Sequence, residues 1–243
     1  MASRPALAVT ALGDMLDGAF PGQFAGLGRT LRLPEQGAVP LSVLLRPAGL
    51  ASVAARYAAS FPGGERRAVL SFWSQHYLLA LVPATVAAAL VAQQDLPVAL
   101  DGMAAVLSET GQPTALCLPH PGVPTAASCP AARLTPLLRL HLQPLACGLH
   151  AAGLPPRVLW GNAAAVLAWT LGAVSAPAGR VAAVRHALES ACWADGRANP
   201  FHPVLSRKGG PACRRVCCLR CRLPGVAECP DCPRACRAGS RVP

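Results

Sequence analysis

The stretch AVLSFWSQHYLLALVPATVAAALVAQQ, residues 68–94, carries no Asp, Glu, Lys or Arg. By length alone it could cross a bilayer. Its interior holds Ser71, Ser74, Gln75, His76 and Pro83, polar or helix-breaking groups that suit a protein core better than lipid. We therefore read Arg66 to Gln93 as one or two alanine-rich core helices, with Pro83 starting or kinking the second. A second uncharged run, 158–179, contains Gly161, Asn162, Gly172, Ser175 and Pro177 and reads the same way. Two buried helices at the centre predict a mainly α domain.

The flanks agree. Leu12, Met15, Leu16 and Phe20 share one face of a helix over 6–20, stopped by Pro21-Gly22. Leu41 to Arg46 is a strand or a turn of helix between prolines, and Leu50 to Ser60 is a helix ending before Pro62-Gly-Gly64. Leu96 to Asp101 and Thr114 to Leu118 are short runs bounded by Pro and Gly, expected to pair as a small antiparallel element. Leu134 to Ala152, with Pro144 as a candidate kink, Val158 to Val174 and Gly179 to Ala194 complete the helices. The expected fold is mainly α (α+β), with residues 1–205 as a helical domain and 206–243 as a short cysteine-rich segment stapled by metal.

The 243 residues are 53% hydrophobic, enough to bury a sizeable core. The net charge of +11 suits an anionic ligand or an anionic membrane face. The few aromatics do not interleave with the arginines, so nucleic acid is not an expected partner. The start, with one Arg and a short apolar run cut by Asp14 and Asp17, does not read as a signal peptide. The expected location is the cytoplasm, peripheral on the cytoplasmic membrane at most. Clustered cysteines in that reducing compartment bind metal or do redox work more often than they form disulfides.

Seven of the eleven cysteines fall in residues 213–243: Cys213, Cys217, Cys218, Cys221, Cys229, Cys232 and Cys236. Few apolar residues accompany them, so the segment needs a staple other than a core of its own. Cys229 and Cys232 have the two-residue spacing that lets both thiolates reach one metal. The adjacent pair Cys217-Cys218 chelates only from a tight turn. Tetrahedral thiolate sites accept iron or zinc. Cys218-x-x-Cys221 with Cys229-x-x-Cys232 gives the zinc-ribbon alternative, on a short seven-residue spacer.

The run Arg214-Arg215-Val216-Cys217-Cys218-Leu219-Arg220, followed by Glu228-Cys229-Pro230-Asp231-Cys232-Pro233, resembles the C-terminal signature of the FhuF-type ferric-siderophore reductases. That pattern is Cys-Cys, ten residues, Cys, two residues, Cys. Trp73-Ser-Gln-His-Tyr77, Leu96 to Asp101 and Trp160-Gly-Asn162 occur in the family's order, so the resemblance spans roughly residues 65–235. It implies a [2Fe–2S] cluster on Cys217, Cys218, Cys229 and Cys232 and a one-electron reductase acting on Fe³⁺ held by an imported siderophore. No phosphate-binding loop, nucleophile elbow or HExxH appears. Without a dinucleotide fingerprint, the electron is expected from an external donor: a ferredoxin, a flavoprotein or a small reductant. The non-enzymatic alternative is a siderophore- or metal-binding protein with a structural zinc site. Siderophore synthetases share the helical region but carry a nucleotide-binding part not seen here.

Arg214, Arg215, Arg220, Arg222, Arg234 and Arg237 surround the motif and would offset its negative charge. Cys147 and Cys192 are expected to be small buried hydrophobes. His141 and His150 should occupy opposite helix faces. Asn162 is expected to cap a helix, with a hydrogen bond to a ligand as the alternative. His76, beside Trp73 and Tyr77, is a core or cleft residue.

Overall fold

The structure is a computed structural model that describes residues 13, 16, 18–193, 195–202, 205–206, 213–229 and 231–234. The helix expected over 6–20 lies mostly outside them. Its described residues Leu16, Ala19 and Phe20 are buried in the main core.

The central element is helix α3, Arg66–Ala87, following α1 (Leu41–Leu44) and α2 (Pro47–Ala58). Residues from Ala68 to Ala87 are buried on nearly every side. A helix apolar all round can be stable only when surrounded, and here α5 (Pro156–Ala173), α2 and a 3₁₀ segment (Gly22–Thr30) pack around it. The helix is long and apolar enough to cross a membrane, yet 78% of its most apolar window is buried inside the protein. Pro83 does not divide it: α3 runs through and ends in a π turn, Ala88–Ala92, closed by Gln93 at φ 54°.

The segment expected as one helix over 134–152 changes register instead. A π segment, Pro136–Leu142, leads into α4, Gln143–Ala151, with Pro144 in the first turn. Proline has no N–H to lose there, so the break falls where it costs least. Helix α6, Ala178–Glu189, completes the set.

The β element is larger than expected and differently paired. Strands β1 (Leu31–Arg32), β2 (Val39–Pro40), β4 (Ala104–Leu107) and β5 (Pro113–Cys117) form one sheet in the order β1-β5-β4-β2. Only the β1–β5 pair is parallel. The partner of β5 is therefore Ala104–Leu107 and not Leu96–Asp101, part of which is a 3₁₀ turn at Leu100–Gly102. Two further two-stranded ladders join β3 (Gln94–Asp95) to β6 (Val123–Pro124) and β7 (Leu205–Ser206) to β8 (Cys213–Arg214).

The cysteine segment lies on the helical body. It supplies Leu223, 4% exposed, to the main core, with Val216, Leu219 and Val226 packed against that core. Gly64, just before α3, faces this contact: a Cβ there would meet Phe61 O at 2.9 Å and a Leu223 methyl at 3.1 Å.

Candidate metal centre

The four motif cysteines lie beside the first turns of α3 but are not equally placed. Cys218, Cys229 and Cys232 form a small buried cluster separate from the main core, while Cys217 is half-buried at its rim. The turn that adjacent ligands require is present. Leu219 adopts the left-handed conformation, φ 66°, and its N–H donates to Cys217 Sγ at 3.4 Å. A second turn brings the other pair together, with Cys232 N–H bonded to Cys229 O at 3.1 Å.

The sulfurs of Cys218 and Cys229 share a hydrogen bond at 3.4 Å. That is far beyond the roughly 2.05 Å of a disulfide. It is close to the ~3.8 Å separating two thiolates on one tetrahedral metal with bonds of about 2.3 Å. The shared hydrogen bond pulls the Cys218 thiol down to about 6, helped by the Arg220 N–H and the charges of Arg214 and Arg220. It pushes Cys229 up, as burial does. Burial raises Cys217 against its Leu219 N–H bond, and the neighbouring Cys221 adds to the rise. Among the described residues, no three His, Cys, Asp or Glu side chains converge as a single-ion site requires. The close pair is Cys218 and Cys229, with Cys232 buried beside them and the Arg214 and Arg220 guanidinium groups nearby.

A buried polar network seats the cysteine segment. Ser71 Oγ, on α3, donates to the Cys218 carbonyl at 2.6 Å. Asn162 Nδ2, on α5, donates to Ser71 Oγ at 3.0 Å, Ser74 Oγ at 3.1 Å and Ser71 O at 3.2 Å. Arg214 completes the chain. Its Nη1 donates to Asn162 Oδ1 at 2.8 Å and its Nε pairs with Asp231 at 2.6 Å, while its backbone N–H binds Asp231 O at 3.0 Å. Arg214 is 8% exposed, so a positive charge is buried beside Cys218 and Cys229 and compensated from both sides.

Asn162 is thus not a cap. It is the seventh residue of α5 and wholly buried, and its work is to join three segments. Only the position of Ser71 and Ser74, one helical turn apart on α3, could have hinted at a partner; nothing local points to Arg214.

The remaining arginines differ in use. Arg220 lies over the Phe72 ring at 5.0 Å, Arg222 pairs with Glu65, and Arg234 approaches Glu228 at 3.9 Å. Arg215 is exposed, and Arg237 falls outside the described residues, as does Cys236. Cys221 is half-buried and interacts with Cys217 and Arg234. Cys147 and Cys192 are exposed, contrary to expectation. In α4 the buried face is Leu145, Ala146 and Leu149, which turns Cys147 outward, and Cys192 lies beyond the end of α6.

His141 is fully buried, bonded to Val98 O at 2.7 Å and Tyr77 Oη at 2.6 Å, whereas His150 is exposed on the other side. Burial lowers the His141 pKa to about 4. The carbonyl must accept from Nδ1–H, so Nε2 accepts from the tyrosine. His76 is half-buried between Tyr57 and Phe72, and burial with the Arg220 charge holds it neutral.

Residues 71–211 match the model of a family described as "Ferric iron reductase FhuF-like transporter". The match contains Ser71, Ser74, Gln75 and Asn162 and ends before Cys217. A relative named ferric siderophore reductase, from Escherichia coli (strain K12), is 29% identical over 176 residues. That alignment covers 69% of this chain and 66% of the relative, slightly under two thirds of its length. With more than half of its length matched, and with the matched helices holding the cysteine segment in place, the chain belongs to the FhuF-like ferric iron reductase family.

Proposed function

We propose that the protein passes one electron to Fe³⁺ held by a siderophore, using a [2Fe–2S] cluster carried by Cys217, Cys218, Cys229 and Cys232. The observation that carries this reading is the buried thiol cluster fastened by Ser71, Asn162 and Arg214 to the helices of the family-matched region. Membership of a ferric reductase family and the relative's name supply the substrate class. The setting is cytoplasmic, at the inner membrane face or free of it.

When bound, the cluster supplies a one-electron carrier that alternates between ferric–ferric and mixed-valence forms. The chain does the rest. Burial of Cys218, Cys229 and Cys232 keeps water from three of the four ligands. The guanidinium groups of Arg214 and Arg220 offset thiolate charge, which eases the uptake of an electron. The half-buried Cys217 leaves one edge near solvent, where a donor and a ferric complex can approach. Arrival of the electron converts Fe³⁺ to Fe²⁺, which hard oxygen donors hold far more weakly. The siderophore leaves intact and no covalent bond of the ligand is broken. The electron enters from an external donor: a ferredoxin, a flavoprotein or a small reductant.

The test is anaerobic single turnover. Reduced, reconstituted protein is mixed with a ferric siderophore in the presence of a ferrous-specific chromogenic chelator. One Fe²⁺ per cluster, appearing as the cluster reoxidises, is the expected result. Reoxidation without ferrous iron, or no reoxidation by any hydroxamate, catecholate or carboxylate complex, would overturn the proposal.

A further inference from the structure

An unpaired buried donor forfeits its hydration without compensation, so natural proteins leave few of them without a reason. Among the described residues, the buried side-chain atoms lacking any partner are Tyr57 Oη, Gln75 Nε2 and Arg220 Nε. Tyr57 and Arg220 share one neighbourhood. The Tyr57 ring lies 6.1 Å from His76 and 6.3 Å from Phe72, and Phe72 stacks beneath the Arg220 guanidinium at 5.0 Å. Gln75 lies on α3 one turn beyond Ser71, which holds the Cys218 carbonyl.

Three elements thus contribute one donor each: α2, α3 and the turn between Cys218 and Cys221. Tyr57 is 2% exposed and Gln75 7% exposed. Phe61, Phe72, His76 and Arg220 are only partly covered, so the site borders solvent. The stacking of a partly exposed Arg220 on Phe72 is weak enough for the side chain to shift and admit a ligand.

All three orphaned atoms carry hydrogens to donate, and burial keeps the Tyr57 hydroxyl protonated. A set of donors without an acceptor is complementary to a ligand presenting several acceptor oxygens. We propose that Tyr57, Gln75 and Arg220 recognise the coordinating oxygens of a hard-oxygen ferric chelate, seated over Phe72 and His76 beside Cys217. This rests on the reductase reading and adds the place where the substrate sits. There, an anionic complex meets Arg220 before it meets the thiolates.

Gallium(III) chelates test the site without turnover, because Ga³⁺ matches the charge of Fe³⁺ but is not reduced. Calorimetric titration of the reconstituted full chain uses gallium complexes of a trihydroxamate, a tricatecholate and a hydroxycarboxylate. Wild type should bind at least one. Tyr57→Phe and Gln75→Leu should each weaken that binding tenfold or more while leaving the melting temperature unchanged or raised, since the deleted groups have no partner in the free protein. Arg220→Met should weaken it further. Equal affinity in the Tyr57 and Gln75 variants, or a lowered melting temperature with unchanged affinity, overturns the site and leaves the reductase reading intact. Failure of wild type to bind any gallium complex overturns both.

Discussion

Replacing Arg214 by alanine should release the cysteine segment from the helices without unfolding them. The side chain is 9% exposed and its partner Asp231 is 24% exposed, so the pair is largely shielded from water. Breaking a buried pair typically costs about 3–5 kcal/mol, mostly from the charge left behind. The partial exposure of Asp231 moves the figure toward the lower end. Loss of the Nη1 bond leaves Asn162 Oδ1 buried without a donor, adding about 1 kcal/mol. A total of about 3–4 kcal/mol raises the population of the released segment roughly a hundred- to a thousand-fold. The metal-free, reduced protein gives the cleanest assay. Pulses of a thiol-alkylating reagent, read by peptide mass spectrometry, report how often Cys218, Cys229 and Cys232 become accessible. In Arg214→Ala their labelling should accelerate by that factor, while exposed Cys147 and Cys192 should label at the wild-type rate. Arg214→Lys, which keeps the charge but cannot span both acceptors, should fall between. Labelling of the three buried thiols within threefold of wild type would refute the view that this guanidinium seats the segment.

Leu223→Ala should cost about 2–4 kcal/mol by opening a cavity in the main core, and should accelerate labelling of the same thiols, since Leu223 is the segment's most buried apolar anchor. Acid should weaken the fold through His141: with a folded pKa of about 4 against the ordinary 6.5, the neutral ring's contribution is complete above pH 6.5 and lost as pH falls toward 4. Denaturant titrations should show about 2 kcal/mol of stability lost between pH 7.5 and 5 from this residue, a difference absent in His141→Gln. Cys221→Ser should keep the visible spectrum of a reconstituted cluster whereas Cys217→Ser should lose it; the opposite pattern would move the ligand set to the zinc-ribbon spacing.

The core helix was readable because residues 68–94 lack charge altogether, and a run of that length has one stable environment in a globular chain: the middle. The clustering of Cys218, Cys229 and Cys232 was readable because close spacing of cysteines is a local feature. The chain also showed α2, α5 and α6 through periodicity bounded by proline. What escaped was non-local. Ala104–Leu107 has no apolar–polar alternation, and becomes a strand because Val39–Pro40 and Pro113–Cys117 lie on either side of it. Asn162 reads as a cap until Arg214, 52 positions away, is seen to need its carbonyl oxygen. The π segment at Pro136–Leu142 leaves the hydrophobic pattern almost intact, so the sequence reads as one helix with Pro144 as its candidate kink. Leu223, in a segment with few apolar residues, belongs to the main core. Cys147 failed for the reverse reason: helical periodicity was assumed to place it inside, and the buried stripe of α4 runs along the other side.

The central claim is the cluster, and anaerobic purification followed by metal and acid-labile sulfide analysis, absorption and EPR tests it most directly. Two iron and two sulfide per chain, visible bands that bleach with dithionite, and a one-electron EPR signal lost in Cys229→Ser are the predicted result. A colourless protein that holds zinc without labile sulfide, and stays colourless after iron and sulfide are supplied, would contradict it.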